Sequence, residues 1–156
     1  MMCELAESGP RVAESEHAVA VLDGFAATEG HLLVIARQHV ERPGDLEWPV
    51  YADLQRVVWE ATRTVEEVFR PSRVYTAALG TMANVRTSFP HYHVHVVPVY
   101  ATDERARPAH VFSWSSGVIR YETEEAARLT TRLRSGWART ADASIPSSRS
   151  FLRKVG

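Results

Sequence analysis

The sequence predicts an α+β fold: a mostly antiparallel sheet, a long helix between its strands and a second helix near the C-terminus. Three observations carry this. Short β-rich runs recur near Val12 and over residues 17–22, 31–36, 74–79 and 92–100. Between the third and fourth run, residues 49–69 keep their apolar side chains at helical spacing. Strands cluster on either side of that helix instead of alternating with helices one by one, which argues against a parallel sheet.

Taken in order, residues 1–11 read as a flexible lead with a turn at Gly9-Pro10. A hairpin follows: a short strand near Val12, a turn around Ser15-Glu16 and a strand over residues 17–22. Asp23-Gly24 closes it, and small residues lead to Glu29-Gly30. Residues 31–36 are short, apolar and β-rich, as a buried strand requires. Pro43-Gly44-Asp45 marks a loop. In the helix over 49–69, Val50, Leu54, Val57, Val58, Ala61, Val65, Val68 and Phe69 form the inner stripe. Asp53, Gln55, Arg56, Glu60, Arg63, Glu66 and Glu67 take the other positions. Pro71-Ser72 stops it. Trp59 falls within the helix and is expected to pack.

Residues 80–90 read as a loop, 101–110 as a charged loop, and 111–114 as a short strand or extended cover. Thr123 as N-cap, with Glu124 and Glu125 in the first turn, opens a final helix expected to reach Leu133 and stop near Gly136. The expected organisation is one domain over residues 1–138 and a flexible tail over 139–156.

Composition narrows the function. With 45% hydrophobic and 24% charged residues, the 156-residue chain is an ordinary globular protein. A formal net charge of −1 gives no global basic field, so nucleic acid is not expected as a partner. The locally basic Arg134, Arg139, Arg149, Arg153 and Lys154 read as solvated. The lone Cys3 excludes an internal disulfide framework and a multi-cysteine zinc site. With no twenty-residue apolar run and no basic-then-apolar leader, a cytoplasmic protein without membrane attachment is expected.

The chemistry concentrates in residues 91–98. His91, His93 and His95 sit at i, i+2 and i+4 among Tyr92, Val94, Val96 and Val97. On a strand, side chains alternate faces, so the three imidazoles share one side and Tyr92, Val94 and Val96 the other. Each ring brings two nitrogens that need partners once buried, so packing alone is a poor reason for such a row. A neutral imidazole is a good nucleophile near pH 7, since its ordinary pKa is about 6.5. Attack on an α-phosphate would give a nucleotidyl-imidazole that water can cleave. Neighbouring imidazoles can stabilise phosphoryl charge and pass a proton to the leaving group. The rival reading is a metal site, because His-x-His on a strand also suits zinc or iron.

At this point the chain resembles the histidine triad (HIT) superfamily of nucleotide-binding hydrolases and transferases. The resemblance rests on the complete triad followed by apolar residues and Pro98, and on Asp23, the Gly30-His31 pair, residues 32–35 and His39 upstream. It covers roughly residues 3–100. It implies that His93 is the nucleophile, that His95 orients it and contacts phosphate, and that His91 and His31 form a second pair that relays protons. It further implies ribose contacts from Asp23, which read alone is also an ordinary Asp-Gly turn, and a phosphate contact from Ser88. The implied ligand is a purine nucleotide or nucleotide conjugate, and no cofactor or catalytic metal is called for. Homodimers are the rule in the family, which points to the helix over 49–69 and the segment around Trp114 as contacts.

The chain departs from the family pattern in places. Many members carry an N-terminal cysteine pair that helps bind zinc; here Cys3 stands at the first place and Ala6 at the second. Leu79-Gly80 replaces the usual asparagine, with Asn84 out of register, and Arg86-Thr87 replaces a glycine-glutamine. Candidate substrates are nucleoside phosphoramidates and dinucleoside polyphosphates. His95, where the related uridylyltransferase branch has glutamine, favours hydrolysis. Two rivals remain: a nucleotide-binding regulator with little turnover, and a metal-dependent hydrolase using His91, His93 and His95.

Overall fold

A computed structural model describes residues 7, 9–80 and 89–142. Five strands form one antiparallel sheet: β1 (Arg11–Glu14), β2 (Ala18–Leu22), β3 (Leu32–Ala36), β4 (Arg73–Ala77) and β5 (His93–Val99), in the order β1-β2-β3-β5-β4. Helix α1 (Trp48–Phe69) separates β3 from β4, a four-residue helix α2 (Pro108–Val111) follows β5, and α3 (Thr123–Asp142) ends the described chain. The predicted α+β fold is the observed one. No helix among the described residues is long and apolar enough to cross a membrane.

The two sheet faces do different work. Ala18, Ala20, Leu22, Leu32, Val34, Ala36, Tyr92, Val94 and Val96 meet Leu54, Val57, Ala61 and Val65 of α1 and Leu129 and Leu133 of α3. This is the main core; each large aliphatic side chain fully buried there contributes roughly 1.5–3 kcal/mol. The opposite face carries Val19, Val21, Leu33 and Ile35 in one cluster and Val97, Val99, Ala106 and Val111 in another. His93 and His95 lie on this second face, because their cross-strand partners are Ile35 and Leu33. Both faces of β2, β3 and β5 are covered, which is why these strands read as near-continuous apolar runs.

Local chemistry sets the ends of α1. Pro49 occupies its first turn, where a missing N–H costs nothing. Arg70 closes it in the left-handed region (φ 50°), donating its N–H to the Glu66 carbonyl, and Pro71 prevents continuation. The first hairpin is tied to this helix: Ser15 Oγ donates to Asp53 Oδ2 at 2.5 Å, and the same oxygen accepts the His17 N–H at 3.2 Å.

Four expectations about elements change. Strand β4 ends at Ala77, before Leu79. Residues 111–114 are not extended: Pro108 starts a helical turn, and residues 112–116 follow as turns. Trp59 does not pack inward; it is 43% exposed, with the Arg63 guanidinium 4.8 Å from its ring centroid. The final helix runs through Gly136 to Asp142, past the expected stop. Gly136 is where α3 crosses α1 closely, and a Cβ there would overlap Val68 Cγ2. The glycine admits the neighbouring helix instead of ending its own. Residues 1–6, 8, 81–88 and 143–156 lie outside the described residues. Cys3, Ala6, Asn84, Arg86, Thr87 and Ser88, and the tail beyond Asp142, fall among them.

Alanine in a helix interior normally gains about 1 kcal/mol over glycine. At position 136 the sign reverses. Gly136→Ala is expected to lose roughly 1–3 kcal/mol through overpacking against the stiff Val68. Urea unfolding would show this as a lower midpoint at unchanged slope.

Candidate functional site

The site forms where the β2–β3 connection meets β5. Asp23 follows β2 directly and His31 precedes β3, and the Asp23 N–H donates to the His31 carbonyl at 2.9 Å. The connection is fixed internally. Phe25 N–H donates to Asp23 Oδ1 at 2.9 Å, and Thr28 Oγ1 donates to the Pro98 carbonyl at 2.6 Å. Gly30 has φ +82°, a conformation that disfavours side chains, and a Cβ there would run into the Phe69 ring. Its N–H reaches Tyr121 Oη at 3.1 Å. The Gly30-His31 pair thus seats the loop against both helical regions and leaves His31 fully buried.

The hydrogen bonds determine which nitrogen of each ring carries the proton. His93 Nδ1 lies 2.7 Å from the His91 carbonyl, and a carbonyl only accepts. Nδ1 is therefore the protonated atom and Nε2 bears the lone pair. Ala27 donates its backbone N–H to His31 Nδ1 at 3.1 Å, so the proton of His31 is on Nε2. That atom faces His95 Nδ1 at 3.0 Å and donates to it, which leaves His95 with an Nε2–H. The rings of His93 and His95 are 4.9 Å apart and those of His31 and His95 5.2 Å. One lone pair, on His93, and one donor, on His95, are thus presented side by side.

His91 is placed differently from expectation. The resemblance implied a pair with His31; the structure pairs His31 with His95. His91 donates from Nε2 to the Ala36 carbonyl at 2.6 Å, and its Nδ1 is 3.4 Å from His39 Nδ1. Strand pairing explains the change: His31 stands at the β3 end that meets His95, while His91 lies at the opposite end, beside Ala36. Its contribution to His93 is the backbone carbonyl. Ser88 lies outside the described residues.

Burial keeps the cluster neutral. It pushes His31 well below the ordinary imidazole range, lowers His93 and His91, and takes His95 down to about 3. The neighbouring imidazoles act in the same direction on His31 and His95. Asp23 moves the other way, raised by burial against the lowering bond from Phe25. Its Oδ2 is 3.3 Å from His31 Nδ1, but with His31 neutral the two are not an ion pair. Asp23, His31 and His95 also place one donor atom each within 4.8 Å of one another. Among the described residues this is the set that could share a metal ion; His91, His93 and His95 are not such a set.

The segment after β5 reaches back over the site. Trp114, read from the sequence as close enough to come near the site but expected to serve packing or a dimer contact, stands edge-on to His95 at 5.7 Å and 6.3 Å from His31. Its Nε1–H donates to the Phe25 carbonyl at 3.0 Å, and Ala26 bridges Ile119. Trp114 has φ +52°, costing roughly 1–2 kcal/mol for a side chain of this kind. Phe112 approaches His95 at 6.4 Å. The usable signal was the Ser115-Ser116-Gly117 turn, which reverses the chain after Trp114.

A single antiparallel sheet backed by two long helices, with a row of neutral imidazoles on its other face, defines the class. The HIT domain family matches residues 7–102, more than half of the sequence, and the chain belongs to that family. It is 31% identical over 94 residues to the protein called hit of Bacillus subtilis, covering 58% of this chain and 61% of that one. It is 32% identical over 103 residues to an AP-4-A phosphorylase of Mycobacterium tuberculosis, covering 62% and 50%. The chain thus spans between half and two thirds of the length of these relatives. Among solved structures it is similar to a hypothetical histidine triad nucleotide-binding protein of Sulfolobus tokodaii, with TM-score 0.70, 20% identity and coverage of 88% and 91%. It is likewise similar to a zinc-bound histidine triad family protein of Mycobacterium smegmatis, with TM-score 0.69, 23% identity and coverage of 91% and 95%. At these identities the structural likeness concerns the fold.

The lowered histidines have a consequence for stability. Unfolded, they titrate near 6.5; folded, they resist protonation, His95 until about pH 3. The unfolded chain therefore takes up more protons as pH falls below about 6.5, and the stability present above that value is lost progressively towards pH 3. Urea midpoints measured from pH 7.5 to 4.5 are expected to fall across this range, and His95→Leu is expected to flatten the decline.

Proposed function

We propose that the protein is a nucleotide hydrolase. It cleaves a bond to the α-phosphate of a nucleoside phosphoramidate or dinucleoside polyphosphate through a nucleotidyl-histidine intermediate on His93. One observation carries the reading: His93 Nδ1–H is pinned to the His91 carbonyl, so Nε2 presents its lone pair on a ring that burial keeps neutral. Attack by Nε2 forms the P–N bond as the bond to the leaving group breaks. His95 Nε2–H hydrogen-bonds the departing group, which takes its proton from solvent as the bond breaks, and His31 Nε2–H, 3.0 Å from His95 Nδ1, holds His95 in that tautomer. Water then cleaves the P–N bond and releases the nucleoside monophosphate.

Other residues take supporting roles in this proposal. Asp23 accepts from the ribose hydroxyls, Ser88 contacts phosphate, and His91 holds the nucleophile through its carbonyl. The name of the mycobacterial relative, an AP-4-A phosphorylase, supports a dinucleoside polyphosphate as one substrate class. A cytoplasmic homodimer belongs to the same proposal. The outward Trp48 and Trp59 of α1 and the open edge of β4 supply surface for the contact, and sedimentation would read its mass.

The test is turnover of an adenosine phosphoramidate and of diadenosine tetraphosphate with a chelator present. Wild type is expected to release AMP. His93→Ala should lose at least about a thousandfold in kcat/KM while still folding and binding nucleotide. Full activity in that variant would refute the covalent route. Activity abolished by the chelator would favour metal chemistry, with Asp23, His31 and His95 as the ligand set. Nucleotide binding without product would favour a regulator, in keeping with Leu79-Gly80 and Arg86-Thr87.

A further inference from the structure

The β2–β3 connection, residues 23–31, is held by groups from later in the chain. Tyr100 Oη donates to the Glu29 carbonyl at 2.9 Å. Beyond residue 102, outside the family match, Ile119 exchanges both backbone bonds with Ala26, at 3.1 and 2.8 Å. Tyr121 Oη then accepts the Gly30 N–H at 3.1 Å, while its ring packs against the main core. Burial raises Tyr121 above the ordinary phenol range, against the lowering bond from Gly30, so it stays a neutral phenol. Ala27 lies between these two attachments, and its N–H is the group that donates to His31 Nδ1. That bond has a competitor. Asp23 Oδ2 is 3.3 Å from the same nitrogen. A carboxylate only accepts, so it favours a proton on Nδ1. With that proton in place, His31 Nε2 would turn a lone pair towards His95 Nδ1, 3.0 Å away. His95 would then carry its own proton on Nδ1 and none on Nε2. The donor that His95 presents to the site would be gone.

We propose that Tyr121, together with the Ala26–Ile119 bridge, is a positioning residue for the histidine cluster: it fixes the connection so that the Ala27 N–H, and not Asp23, selects the tautomer of His31 and through it that of His95. In this role Tyr121 needs no contact with the reacting atoms. It acts through Gly30 on the connection that carries Ala27, through Ala27 on His31, and through His31 on His95. The kinetic consequence rests on the nucleotide reading above; the tautomer of His31 does not.

Two variants of the full chain remove one attachment each. Tyr121→Phe deletes the acceptor and keeps the ring, and Ile119→Pro deletes one donor of the bridge. Circular dichroism checks that each folds. The first readout is the ring-nitrogen NMR spectrum of histidine-labelled protein, with His31→Gln marking the His31 signals. Wild type is expected to hold the His31 proton on Nε2, and each variant to move it wholly or partly to Nδ1. The second readout compares two leaving groups. One substrate is an adenosine phosphoramidate, whose amine departs with help from the His95 donor. The other is the p-nitrophenyl ester of AMP, whose phenolate departs without it. Loss of one donor to the departing group predicts that kcat on the phosphoramidate falls roughly tenfold to a hundredfold. The ester is expected to change little. An unchanged His31 tautomer in the folded variants would overturn the proposal. So would equal losses on the two substrates, which is what loosened folding alone produces. If wild type turns over neither substrate, the nucleotide reading fails, and the tautomer of His31 still decides the positioning role.

Discussion

The pairing of β3 with β5 is the constraint on which the rest depends. Its register sets Leu33 opposite His95 and Ile35 opposite His93, so two imidazoles stand on the face away from the helices. The same register brings His31, one residue before β3, within 3.0 Å of His95. A slip of one residue would send the histidines into the helix-packed core and Val94 and Val96 towards the site. The slip is resisted because Leu32, Val34, Val94 and Val96 fill the space beneath α1. The long helix thus holds the chemistry in place without touching it.

Neutrality is the second consequence of this arrangement. Three imidazoles packed under apolar neighbours cannot all carry charge, and each buried ring takes its hydrogen bond from a group whose role is fixed. The His91 and Ala36 carbonyls can only accept, and the Ala27 N–H can only donate. The backbone therefore selects the protonated nitrogens before any substrate arrives. That is preorganisation in a literal sense: a lone pair and a donor are oriented by main-chain atoms that the sheet cannot move cheaply.

Much of the fold was legible because the strands and α1 follow simple periods. Residues 31–36 read as buried, and 49–69 as a helix, because packing there agrees with local preference. Gly136 misled because a glycine at a helix crossing and a glycine at a helix end look alike in one dimension; Val68, 68 positions earlier, decides between them. Trp59 misled in the other direction, since a tryptophan beside an arginine can cover itself with the guanidinium on the surface. The His31–His91 pairing was carried over from resemblance, and the register of the sheet replaced it with His31–His95.

By itself the sequence determined that His93 and His95 share one face of a buried strand, that Asp23 and His31 bracket a short loop, and that a long amphipathic helix backs the sheet. These follow from alternation and periodicity, which are properties of neighbouring residues. Tertiary structure alone decided which imidazole meets which, where each proton sits, and that Trp114 returns to stand over His95. The physical reason is distance along the chain. Donors, acceptors and ring edges from residues 27, 31, 36, 95 and 114 become neighbours only when strand register and the turn after α2 have fixed their positions, and no local pattern encodes those separations.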